Sequence, residues 1–130
     1  MADSTTTLKE LKSKMATFVK ERDWEKFHSP KNLSMSIAIE AAELMEHFQW
    51  CDLETSKEDL TKEIQEVKHE IADIFCYLLS FCSLYDIDIS QAVSEKLALN
   101  AAKYPAEQVR GSYEKYKKLK KSIKKTTQKR

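Results

Sequence analysis

A chain of 130 residues with one Gly, two Pro and 33% charged residues has room for a single domain with a modest core. So few turn formers argue for helices and against a sheet protein. The formal net charge of +1 hides an asymmetry, because Lys115 to Arg130 holds nine basic residues and no acidic one, which leaves 13 basic against 21 acidic in the preceding 114. An acidic body that handles phosphates needs a metal ion to mediate. The Lys-rich terminus reads as a disordered, solubilising tail rather than a specific nucleic-acid site.

No run of about 18 apolar residues is available to span a membrane. The opening "MADSTTTLKE" lacks the basic-then-apolar pattern of a signal peptide. Cys51, Cys76 and Cys82 form no C-x-x-C pair and are expected to be reduced thiols that pack, in a cytoplasmic protein.

Leu8, Leu11, Met15, Phe18 and Val19 follow the i, i+3, i+4 rule and predict an amphipathic first helix over residues 5 to 22, with Thr5 to Thr7 as N-cap candidates. "RDWEKFHSPKN" then breaks the pattern, since a residue before proline is steered away from helix. Trp24, Phe27 and His28 make this an unusually aromatic loop. It serves either as a lid packed on the bundle or as a platform for a flat ligand.

Asn32 is placed as cap of a second helix reaching Trp50. Its stripe of Leu33, Ile37, Ala41, Leu44 and Phe48 is widened by Met35, Ile39 and Met45, which marks it as central. Ser56 and Asp59 have capping-box spacing and open a long third helix to Leu84. From Ile71 onward that helix is apolar on nearly all sides, more than one small bundle buries, so contact with another subunit is expected. Ser90 is placed as cap of a fourth helix ending at Lys103, before Pro105. The expected architecture is all-α: a four-helix-type bundle over residues 1–114, followed by a disordered basic tail over 115–130.

The chemistry lies in the carboxylates. Glu40 and Glu43, in "IEAAELMEHFQW", are three apart, so they stand roughly 60° apart around a helix and share an edge. Glu70 and Asp73, in "EIADIFCYLL", repeat that spacing on the third helix. If the two helices are antiparallel neighbours the pairs converge, and four unpartnered carboxylates repel unless a cation lies between them. Oxygen-only donors suit a hard ion, Mg²⁺ or alternatively Mn²⁺. The bland reading is two solvated E-x-x-E-type pairs on exposed faces. A di-iron centre is a third reading, since Glu66-x-x-His69 has the required spacing. That centre needs a second such motif, which the chain does not supply. Downstream, Lys96, Asn100 and Lys103 share a helical face with Tyr104 at its end. These residues suit phosphate and sugar oxygens, or simply form a solvated face.

Together these pieces resemble the MazG-like all-α nucleotide pyrophosphohydrolases, and within them the dCTP-hydrolysing branch. Glu40-Ala-Ala-Glu43 and Glu70-Ile-Ala-Asp73 are similar to the family's paired acidic motifs. "RDWEKFHSPKNL", "HFQW" and "NAAKYP" resemble its aromatic loop, helix end and phosphate-side segment. The resemblance implies Mg²⁺-dependent hydrolysis of a nucleoside triphosphate, dCTP or a related pyrimidine deoxynucleotide, to the monophosphate and pyrophosphate. It also implies Glu40, Glu43, Glu70 and Asp73 as metal ligands. Trp24, His28, Trp50 and Tyr77 would line a nucleoside pocket, in part across a subunit interface. Lys96, Asn100, Lys103 and Tyr104 would engage phosphate and sugar in a dimer or tetramer. Glu43 is the expected proton acceptor from the attacking water. Two positions depart from the pattern: Ala42 where relatives often have Gly, and Met15 where the dCTP-hydrolysing branch has His, so the resemblance does not fix the base. A competing, non-enzymatic expectation is a helical interaction module whose basic tail binds acidic partners.

Overall fold

Each long helix begins where a side chain satisfies its free amides. The computed structural model describes residues 1–114, 117 and 118, all of whose regular structure is helical. Helix α1 spans Leu8–Glu21. Thr7 and Glu10 form a full capping box: the Thr7 hydroxyl accepts from Glu10 N at 3.2 Å and the Glu10 carboxylate accepts from Thr7 N at 2.6 Å. A reciprocal cap of this kind fixes the first turn, so Thr5 and Thr6 stay outside the helix.

A short 3-10 turn over Glu25–Phe27 leads to α2, Pro30–Glu46. The Ser29-Pro30 step, expected to interrupt helix, instead starts one. Ser29 is extended (φ −68°, ψ 158°) and its hydroxyl accepts from Asn32 N at 3.1 Å, while Pro30 takes the first helical position. Proline loses nothing there, because that amide has no intrahelical partner. Asn32 is therefore inside the helix and not its cap. The helix also stops four residues short of Trp50, which falls in a turn.

The expected long third helix is two helices, α3 (Ser56–Lys62) and α4 (Ile64–Leu84), separated by Glu63 at φ −105°, ψ 19°. The Ser56–Asp59 box does not form; Thr55 is the capping position, and the Ser56 hydroxyl donates to Leu53 O at 2.9 Å. Helix α5 runs from Ile89 to Lys103 and is capped by Asp88, which accepts from Gln91 N at 3.0 Å, so Ser90 is the second helical residue and not the cap. A last short helix, α6, covers Ala106–Val109. The four helices anticipated from the pattern thus correspond to α1, α2, the α3–α4 pair and α5, and the all-α fold is the observed one. The expected disordered tail falls, Lys117 and Lys118 apart, outside the described residues.

Contacts divide the chain into one unit over Met1–Ile87 and a second beginning at Asp88. In the first, α2 and α4 form the principal pair, and α1 packs on α4. Val19 of α1, Leu33 of α2, and Val67, Leu79 and Cys82 of α4 are buried; each such side chain contributes about 1.5–3 kcal/mol on burial. Lys12 adds a bond from its Nζ to Ile87 O at 3.1 Å. Much apolar surface stays uncovered: Met35 and Ile39 on α2, with Ile71, Phe75 and Leu78 on α4, are 41–54% exposed. On α4 these lie at i, i+4, i+7, a single stripe. No helix among the described residues is long and apolar enough to cross a membrane.

Candidate metal centre and nucleoside pocket

His47 meets Glu63 while Glu40, two turns earlier on α2, lies near Glu70, two turns further along the chain from Glu63. Helices α2 and α4 therefore run antiparallel. That direction brings the acidic motifs together, and one carboxylate oxygen from each of Glu40, Glu43 and Glu70 lies within 4.8 Å of the others. Asp73, one turn beyond Glu70, is not in this trio. Its charge still acts on Glu40, whose carboxyl is pushed above its usual range by desolvation first and then by Glu43, Asp73 and Glu70. Among the described residues no Lys or Arg pairs with Glu40, Glu43 or Asp73. Three converging oxygen donors whose mutual repulsion no described Lys or Arg relieves fit a hard divalent cation. Glu66 and His69, the seed of the di-iron reading, are exposed and outside the group that could hold a metal.

His47 is a site residue that sequence reasoning missed. Its Nδ1 is 2.6 Å from Glu63 Oε2 and its Nε2 is 3.7 Å from Glu70 Oε1. The Glu63 bond raises its pKa above that of a free imidazole, partial burial opposes the shift, and Glu70 adds to the rise. The signal was present: His47 is one turn beyond Glu43 on the same edge of α2. It was overlooked because His47 carries no E-x-x-H partner.

Beside the carboxylates lies an apolar cavity of about 540 Å³ whose lining includes Met15, Phe18, Trp24, His28, Asp73 and Tyr77. Trp24 sits edge-on to Phe18, with ring centroids 6.0 Å apart. Three of the four residues expected to hold the nucleoside, Trp24, His28 and Tyr77, are thus gathered in one place, and Asp73 joins this cavity to the acidic trio. Trp50 is elsewhere. It is 89% exposed and borders a separate, more polar cavity of about 700 Å³, with Glu43, His47, Glu63 and Glu70. Lys96, Asn100 and Lys103 lie at i, i+4, i+7 on α5, in the unit that begins at Asp88, where the Lys103 ammonium is 5.3 Å from the Tyr104 ring centroid.

An antiparallel helix pair carrying E-x-x-E against E-x-x-D defines a class. Residues 35–119 match the model of the MazG-like family, and the chain belongs to it. Among individual proteins, the chain is 38% identical over 112 residues to dCTP pyrophosphatase 1 of Mus musculus, covering 85% of this chain and 66% of that protein. It is 36% identical over 115 residues to dCTP pyrophosphatase 1 of Homo sapiens, covering 87% and 68%. The chain thus spans about two thirds of the length of these relatives. A solved structure, a pyrophosphatase from Archaeoglobus fulgidus, superposes with a TM-score of 0.74 at 40% identity, covering 81% of this chain and 98% of that one.

Proposed function

We propose that this protein hydrolyses a nucleoside triphosphate to its monophosphate and pyrophosphate, with dCTP or a related pyrimidine deoxynucleotide as substrate and Mg²⁺ as the cofactor. The observation that carries the reading is the position of Asp73, which borders the aromatic cavity and acts through its charge on Glu40 of the acidic trio. A base seated between Trp24 and Tyr77 would place its triphosphate toward those carboxylates. The similarity to dCTP pyrophosphatases supports the substrate.

In this reading Glu40, Glu43, Glu70 and Asp73 hold the ion. When bound, it neutralises triphosphate oxygens and acidifies a water. Glu43 is the exposed member of the trio, whereas Glu40 and Glu70 are half-buried. It is therefore the carboxylate best reached by the attacking water, and it takes that water's proton. Trp24 supplies stacking, which is tolerant of base identity, and His28 and Tyr77 supply the hydrogen bonds that choose among bases. Lys96, Asn100, Lys103 and Tyr104 serve phosphate and sugar.

The uncovered stripe Ile71–Phe75–Leu78 supports a homo-oligomer, dimer or tetramer, and the exposed Trp50 then serves a pocket completed by a second subunit. Three free cysteines support a reducing, cytoplasmic setting. The test is a panel of deoxynucleoside triphosphates with Mg²⁺. Pyrophosphate release from a pyrimidine member is expected, and no release from any member would overturn the proposal.

A further inference from the structure

The loop that carries Trp24 and His28 is tied down at three points. Its entry is fixed by Asp23 in the left-handed region (φ 52°) and by the Phe18–Trp24 ring contact. Its exit is fixed by Asn32, whose Nδ2 donates to Phe27 O at 2.8 Å. The third tie comes from the far end of α4: the Tyr85 hydroxyl donates to the carbonyl of His28 at 3.0 Å, across 57 residues of sequence. Among the described residues this is the side-chain hydrogen bond that joins the loop to α4. The loop's own bonds, Phe27 N to Trp24 O and His28 N to Glu25 O, shape the turn without orienting it on the bundle. Tyr85 is braced in its turn by Phe81, with ring centroids 5.1 Å apart. It borders neither of the two cavities that His28 lines.

His28 has a second peculiarity. Its Nδ1 is inaccessible to solvent and has no hydrogen-bond partner among the described residues. A buried polar atom left unpaired costs on the order of 1–3 kcal/mol, and such an atom calls for an explanation. The ring borders two cavities, of about 540 and 390 Å³, and Trp24 and Tyr77 border both of them with it. An imidazole donates or accepts at its ring nitrogens according to tautomer, so the His28 ring suits the polar edge of a heterocycle stacked on the neighbouring rings.

We infer that Tyr85 is a positioning residue of the nucleoside pocket: by holding the His28 carbonyl it keeps the His28 imidazole in the wall shared by the two cavities, where the ring meets a nucleobase. This inference rests on the proposed hydrolysis of nucleoside triphosphates. Tyr85 touches no substrate and acts only through His28, so its effect appears in binding rather than in the chemical step.

The test uses Tyr85→Phe, which removes one oxygen and keeps the Phe81 contact. In the ligand-free protein, amide exchange over residues 24–29 should quicken several-fold while the melting temperature stays near the parent's. On the nucleotide that the parent hydrolyses best, KM should rise about 5- to 10-fold, as for the loss of one oriented hydrogen bond, with kcat within about twofold. His28→Ala should raise KM at least as much, and the double variant should be no worse than His28→Ala, since residues acting through one another are not additive. An active parent with unchanged KM in Tyr85→Phe, or full additivity in the double variant, overturns the inference. A parent inactive on every nucleotide refutes the functional reading instead. Amide exchange then still judges the latch, and unchanged protection refutes it.

Discussion

Glu40 on α2 and Glu70 on α4 face each other across the principal helix pair, with carboxylate oxygens within 4.8 Å and no described Lys or Arg beside Glu40. In metal-free buffer this arrangement is unfavourable. The raised pKa of Glu40 expresses that cost: desolvation contributes most, followed by Glu43, Asp73 and Glu70. Asp73→Asn removes one of these charges at nearly constant volume. In EDTA it should melt at or above the parent's temperature. A cation that binds only the folded state stabilises by mass action, about 2.7 kcal/mol at a hundredfold excess over Kd. Mg²⁺ should accordingly raise the parent's melting temperature and raise that of Asp73→Asn less. A parent melt indifferent to Mg²⁺ contradicts the metal site.

Trp24 is 44% exposed and lines the apolar cavity with His28 and Tyr77. Stacking of a base on an aromatic ring contributes about 1–3 kcal/mol, so Trp24→Ala should weaken nucleotide binding roughly 5- to 150-fold. Titration with a non-hydrolysable deoxynucleotide checks this. Equal binding by parent and variant would remove Trp24 from the pocket.

The stripe Ile71, Phe75 and Leu78 predicts self-association. Sedimentation of the 15.1 kDa chain at micromolar concentration should give a multiple of that mass. Phe75→Glu places a charge on the stripe and should shift the equilibrium to monomer with helix content retained. A monomeric parent would show that the stripe is not a subunit contact.

The Thr7–Glu10 box gives a prediction about pH. The Glu10 carboxyl is held below its ordinary range by the Thr7 amide first and the Thr7 hydroxyl second. A carboxylate depressed in the folded state stabilises above its unfolded pKa, and that contribution fades as pH falls through the folded value. Thr7→Ala should destabilise the protein by about 1 kcal/mol at neutral pH. The difference from the parent should shrink on acidification from the ordinary glutamate range downward. A difference independent of pH would mean that the Thr7 hydroxyl does not bond the Glu10 carboxylate.

Helix identity was legible in the sequence because apolar spacing reports which residues share a face, and that is settled locally. Boundaries were less so. Ser29-Pro30 carries both a helix-breaking and a helix-starting message, and only the Ser29–Asn32 bond decides between them. The interruption at Glu63 lies where that residue meets His47 from α2, a contact between segments that no local pattern announces. The site divides in the same way. Glu40, Glu43 and Glu70 follow from spacing once the helices are antiparallel. The unpaired His28 Nδ1 and its tie to Tyr85 depend on a loop meeting the far end of α4, 57 residues away.

The most direct measurement is pyrophosphate release from dCTP by the parent and by Glu70→Gln, each assayed with Mg²⁺ and with EDTA. Glu70 is the α4 member of the carboxylate trio, and the substitution keeps its shape while removing its charge. The parent should release pyrophosphate only with Mg²⁺, and Glu70→Gln should be slower by more than about 100-fold, beyond what loss of a merely supporting contact to a metal ligand brings. Parental rates in Glu70→Gln, or release that persists in EDTA, would contradict a metal-dependent pyrophosphohydrolase built on these carboxylates.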